Sequence, residues 1–102
     1  MIFELLITRR AQLDLDEIFI WYEEQQPGLG DRFLNAFEDA IIKIKRNPYY
    51  ASNIASEAKS VFLKKFPYDV IYYIDENRNQ IRIIAIIHQH RSKTFFKERL
   101  KE

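Results

Sequence analysis

The sequence predicts an α+β domain of order β-α-α-β-β-β-α: an antiparallel meander plus an N-terminal strand, with a helical hairpin packed on one face. Three observations carry that expectation. Two stretches with apolar residues at helical spacing meet at Pro27-Gly28, three later runs are rich in β-branched and aromatic residues, and short polar or proline-containing connections separate those runs. A chain of 102 residues has room for one core, so residues 1–102 are read as a single domain.

Phe3 to Ile7 is a short apolar strand. Thr8 is placed to cap a following helix whose apolar residues Ala11, Leu15, Ile18 and Tyr22 step by four, three and four. Asp14, Asp16 and Glu17 fall in its first half, where the helix dipole favours acids. Pro27 disfavours helical geometry in the residue before it, so this helix ends near Gln25-Gln26. A second helix starts between Pro27 and Leu29, carries the stripe Leu29, Phe33, Phe37, Ala40, Ile41 and Ile44, and stops before Pro48. From Ser60 the period changes to two: Val61–Phe66, Val70–Ile74 and Ile81–His88 read as consecutive strands, reversed at Phe66-Pro67-Tyr68 and at Asp75–Asn79. The last strand is the most apolar and is expected inside the sheet. A short helix from Lys93 to Leu100 ends the chain.

Composition excludes several classes. Hydrophobic residues at 47%, charged residues at 30% and only 2 Gly are incompatible with collagen-like or disordered chains. The absence of Cys removes disulfides, Cys-based zinc sites and a thiol nucleophile, and suits a cytoplasmic location. The longest aliphatic run, Ile83 to Ile87, is far short of the ~20 residues of a membrane span, and no secretion signal is visible. No cofactor motif is present: Gly28 and Gly30 are the only glycines, no Lys-Ser/Thr pair follows them, and no Gly-x-Ser-x-Gly element exists.

Charge is asymmetric. Residues 1–51 carry six Lys/Arg and nine Asp/Glu, whereas residues 52–102 carry ten and six, so a basic surface is expected in the C-terminal half. Strict alternation along the last strand puts Arg82 and His88 on one face and an apolar set, Ile81, Ile83, Ala85 and Ile87, on the other. If the apolar set meets the helices, Arg82 and His88 look outward together, joined by Lys64 or Lys65. Cations that hold phosphate and an imidazole that moves protons are the residue types phosphodiester cleavage requires. The plainer reading of each is a solvated cation or a hydrogen-bonded histidine at a strand end. His88 and His90 have no evident carboxylate beside them to complete a metal site, and Tyr72 and Tyr73 fit packing roles.

Four segments together resemble the RelE/ParE toxin superfamily, in its ParE-like, plasmid-stabilisation branch. They are Ala11-x-x-Asp14-Leu15-x-x-Ile18 through Tyr22-x-x-Gln25; Pro27-Gly28-Leu29-Gly30-x-Arg32-Phe33 through Ile44-x-x-Asn47-Pro48; Leu63-Lys64-Lys65-Phe66-Pro67-Tyr68 followed by Tyr72; and Ile84-x-Ile86-x-His88-x-x-Arg91. The resemblance implies a RelE/ParE-like fold with a four-stranded sheet, and a toxin of a type II toxin–antitoxin system whose groove is filled by part of its antitoxin. It departs from the family pattern at Lys59, where Arg is usual, at Lys93, where Pro is usual, and at Phe95 or Phe96, where Trp is common. A Lys-for-Arg exchange keeps charge and loses bidentate geometry.

The resemblance leaves two activities open. A ParE-like protein inhibits DNA gyrase by binding, with Lys59, Lys64, Lys65, Arg82, His88 and Arg91 as the face that meets target or antitoxin. A RelE-like protein is a ribosome-dependent messenger RNA endoribonuclease, for which His88, Arg82 and Arg91 are the catalytic candidates. A toxin that has lost activity and persists as an interaction partner is a third reading. No metal or cofactor is expected in any of them, and whether the chain forms a homodimer or a heterotetramer with its antitoxin is open.

Overall fold

The computed structural model describes residues 2–55 and 57–91. Strand β1 (Glu4–Ile7) leads into helix α1 (Arg9–Gln25), and a Pro27-Gly28 turn leads into α2 (Leu29–Arg46). Strands β2 (Asn53–Ala55), β3 (Ala58–Phe62), β4 (Tyr68–Asp75) and β5 (Gln80–His88) follow, then one 3-10 turn over Gln89–Arg91. The helix expected from Lys93 to Leu100, with Phe95 and Phe96, lies outside the described residues.

Thr8 caps α1 as expected, its Oγ1 accepting from the Ala11 amide at 3.2 Å. Ala11, Leu15, Ile18 and Tyr22 are buried, so the stepped apolar pattern is the face that packs. The first turn holds Arg9 and Arg10 and no acid, because the helix begins one turn before Asp14; the expected dipole benefit of the acids is therefore not realised.

The hairpin closes through Glu23, whose Oε1 accepts from the amides of Gly28 at 3.0 Å and Gly30 at 2.9 Å. A carboxylate thus satisfies orphan donors at the start of α2, where the dipole also favours it. Gly28 has φ +90°, a left-handed conformation that suits glycine. A Cβ on Gly30 would lie 2.7 Å from the Phe19 ring and from Glu23 Cγ, so the two helices meet where no side chain intervenes.

The sheet has five strands in the order β1-β5-β4-β3-β2, with β1 parallel to β5 and the other pairs antiparallel. The fifth strand is β2, a three-residue partner of β3 that the sequence pattern did not announce. β3 begins at Ala58 rather than Ser60 and stops at Phe62, since the chain leaves the ladder at Leu63 and turns through Lys65 at φ +70°. β5 lies between β1 and β4, as its apolar composition implied.

One irregularity decides which side chains share a face. Ile71 pairs with Ala85 and Tyr72 pairs with Ile83, so Ile84 is an extra residue and β5 bulges there. The bulge inverts the alternation beyond it. Ile81, Ile83 and Ile86 join Leu15, Phe33, Ile44, Val70 and Tyr72 in the core under the helices. Ile84, Ala85 and Ile87 join Ala58 and Ile71 in a second cluster on the outer face. The expected set of Ile81, Ile83, Ala85 and Ile87 on one face is therefore corrected: Ala85 and Ile87 belong to the other side.

Candidate functional site

Register places each residue singled out from the sequence. His88 pairs with Tyr68 at the end of β5, on the side that packs under α1. Its ring makes an edge contact with Tyr68 at 5.3 Å between centroids and stacks on His90 at 5.1 Å. The His90 amide donates to His88 Nδ1 at 3.3 Å.

Arg82 pairs with Tyr73 and faces the opposite way. Its guanidinium lies 6.0 Å from the Tyr73 ring centroid, and Nη1 donates weakly to Gln80 Oε1 at 3.4 Å. Arg82 and His88 thus lie on opposite faces of the sheet, contrary to the expectation from strict alternation. The physical reason is the inserted Ile84.

Lys59 does not present a free charge either. Its Nζ donates to the Ala51 carbonyl at 3.0 Å and to Asn53 Oδ1 at 2.9 Å, tying β3 to the segment that precedes it. Lys64 and Lys65 are exposed in the β3–β4 turn rather than on the sheet face beside Arg82. Tyr72 is buried and donates its hydroxyl to the Pro48 carbonyl at 2.6 Å; burial pushes its phenol up to about 12, so it is a structural clasp.

The residues the fold does bring together are His88, His90 and Arg91. With Tyr68, Ile86 and Ile87 they form one wall of an open cleft of about 550 Å³, whose other wall is Asp14, Glu17 and Ile18 of α1. Asp14, Glu17 and Ile18 are spaced for one helical face, the only signal by which the sequence could have nominated the two acids. The cleft lies where β1 ends at Ile7, opposite Ile83, and among the described residues no strand continues along that side of β5. Asp14 Oδ2 fills part of this gap by accepting from the Ile86 amide at 3.0 Å. Burial pushes the Tyr68 phenol up, partly offset by the Arg91 cation, so Tyr68 stays protonated near neutral pH.

The outer face has a different chemistry. Asp69, across from Phe62 on β3 and Ile87 on β5, is 6% exposed, and its Oδ1 has no hydrogen-bond partner among the described residues. Burial raises its pKa, opposed by hydrogen bonds from Ser60 and Gln89 and by His88. With an acid and apolar residues at its centre, this face brings no cluster of cations together among the described residues. No group of three or more His, Cys, Asp or Glu that could hold a metal ion occurs among the described residues, nor any helix long and apolar enough to cross a membrane.

Comparison with known proteins adds an independent line. The family model described as the ParE toxin of the type II toxin–antitoxin system parDE matches residues 5–93. Similar solved structures include a chromosomal ParDE system from P. aeruginosa, with a TM-score of 0.64 and 20% identity over 85% of this chain and 96% of that one. A variant of the E. coli toxin RelE in the free state gives a TM-score of 0.73 at 14% identity over 99% and 97%. The toxin–antitoxin complex RelBE2 from Mycobacterium tuberculosis gives 0.62 at 18% identity over 86% and 99%. No curated protein sequence matches the chain.

Proposed function

The chain belongs to the ParE toxin family of type II toxin–antitoxin systems, and from that premise we propose that it acts as a binding toxin, inhibits DNA gyrase in the cytoplasm and is neutralised by a cognate antitoxin. The observation that carries the choice between activities is the bulge at Ile84. It separates Arg82 from His88 across the thickness of the sheet, so of the two arginines that could grip phosphate only Arg91 shares a surface with the imidazole, and the set that RNA cleavage would use is short of a cation.

Other features support the same reading. His88 Nδ1 is engaged by the His90 amide, and burial raises the Tyr68 phenol, which disfavours Tyr68 as a base. Lys59 is spent on Ala51 and Asn53. What remains in the cleft, an imidazole pair and Arg91 facing Asp14 and Glu17 across apolar Ile18 and Ile86, suits recognition of a polypeptide with mixed charge. In this reading His88 and Arg91 contact the target or the antitoxin, Lys64 and Lys65 extend that contact around the turn, and Arg82 serves the outer face.

The test is induction of the chain in bacteria with and without the antitoxin, scored by growth and by plasmid supercoiling. The expected result is growth arrest with loss of negative supercoiling or DNA breaks, both reversed by the antitoxin. Arrest with unchanged supercoiling would contradict gyrase as the target, and no arrest would contradict an active toxin.

A further inference from the structure

A second groove, of about 260 Å³, runs between the C-terminal half of α2 and the end of β3. We propose that this groove binds an acidic segment of a protein, one that carries apolar side chains between its acids. The inference rests on the toxin reading above for its biological setting, and on the following geometry for its chemistry.

β2 pairs only with Ala58 and Lys59, so among the described residues β3 has no strand on that side at Val61 and Phe62, and α2 flanks this edge. Phe62 is 72% exposed there and Ile42 on α2 is 53% exposed. Isolated exposed apolar residues are ordinary, but an aromatic at an unpaired strand edge beside an aliphatic residue in the same groove is an anchor site.

Three cations line the same groove as those anchors. Lys43 and Arg46 come from α2 and Lys64 from the β3–β4 turn, and none has an ion-pair or side-chain hydrogen-bond partner among the described residues. Lys43 and Arg46 alone would be explained by the dipole at the C-terminus of α2. Lys64 is not on that helix, and its convergence with two like charges works against stability unless an anion is shared. One acid, Asp39, lines the same groove.

Charge complementarity therefore selects an acidic occupant, and the apolar anchors select a polypeptide over a nucleic acid. A nucleic-acid groove tracks successive phosphates along a broad basic surface, whereas this chain carries a net charge of only +1 and these cations share one small groove with apolar side chains. An acidic segment with leucine-like side chains can satisfy both the cations and Phe62.

The test uses the purified chain and a fluorescein-labelled peptide made of Glu-Glu-Leu repeats, with a single-stranded DNA oligonucleotide of matched length and a Lys-Lys-Leu peptide as competitors. Binding is read by anisotropy for the wild type, for Lys43→Glu/Lys64→Glu, for Phe62→Ser, and for Arg78→Glu as a charge change away from the groove. The expected result is salt-sensitive binding of the acidic peptide, weakened about tenfold or more by the first two variants and unaltered by Arg78→Glu. All substituted side chains are exposed, and thermal unfolding verifies that each variant is folded. The proposal is overturned if the wild type fails to bind the acidic peptide, if all variants bind alike, or if the DNA binds more tightly and depends on the same cations. Growth arrest by the wild-type chain is scored separately, so peptide binding without arrest removes the toxin reading and keeps the groove, while arrest without peptide binding does the reverse.

Discussion

The two faces of the sheet are built to different standards. Under the helices, polar groups are matched: the Tyr72 hydroxyl reaches Pro48, Lys59 reaches Ala51 and Asn53, and Asp14 closes the Ile86 amide. On the outer face, Asp69 and Arg82 each keep a buried atom without a hydrogen-bond partner among the described residues. Both faces carry apolar clusters, so hydrophobicity does not distinguish them. The difference lies in polar satisfaction, and it teaches that the helix face carries the stability of the fold while the outer face tolerates groups that weaken it.

That contrast can be broken most forcefully at Phe33, which is fully buried against Tyr22, Phe66 and Tyr68. Phe33→Ala is expected to lower unfolding free energy by ~3–5 kcal/mol in denaturant titration, near the whole stability of a small domain. A similar loss from a substitution at Asp69 would erase the distinction between the faces.

Asp14→Ala sharpens the comparison at the next level. It orphans the Ile86 amide at the open edge of β5, and a loss of ~1–3 kcal/mol is expected, together with faster amide exchange at Ile86. Tyr72→Phe removes one neutral hydrogen bond from a buried site and is expected to lose ~1 kcal/mol. It also changes the alkaline limb. The folded phenol sits near 12 against an ordinary value near 10, so the folded state holds its proton longer than the unfolded state. Wild-type stability is constant below pH ~10 on this account and falls as pH rises from ~10 to ~12, whereas Tyr72→Phe loses that part of the fall in pH-dependent melting.

The smallest effect is expected at Asp69 and has the opposite sign. Its raised pKa means that the protonated form is the one the fold favours, so this contribution is present below the ordinary carboxylate pKa and lost as the pH rises through the raised value. Asp69→Asn is therefore expected to raise stability at neutral pH by up to ~1 kcal/mol and to flatten the acid end of the stability profile. A destabilised Asp69→Asn would show that the hydrogen bonds from Ser60 and Gln89 to the carboxylate outweigh the cost of its burial.

Much of this fold was legible in the sequence because its signals are local. Thr8 and Pro27-Gly28 punctuate the helices, the steps from Ala11 to Tyr22 and from Phe33 to Ile44 define their buried faces, and β-branched runs mark β4 and β5. The strand β2 escaped because three residues carry no readable period, and β3 was shifted because Lys59 and Ser60 pair in the ladder despite their polarity.

The site was less legible for one reason. Ile83 to Ile87 is apolar throughout, so no polar residue marks where alternation breaks, and a bulge inside such a run is invisible to a period-two reading. His88 and Arg91 were found because they follow the run at its end. Asp14, Glu17 and Tyr68 were not, since they reach the cleft only through packing of α1 on the far end of β4 and β5.

The central claim is that the bulge takes Arg82 away from His88 and Arg91 and leaves the set for RNA cleavage incomplete. It is tested most directly by adding the purified chain to translating ribosomes and mapping messenger RNA ends at nucleotide resolution, with His88→Ala in parallel. The expected result is no new ends within codons for either protein. New ends produced by the wild type and abolished in a folded His88→Ala variant would contradict the account and restore the ribonuclease.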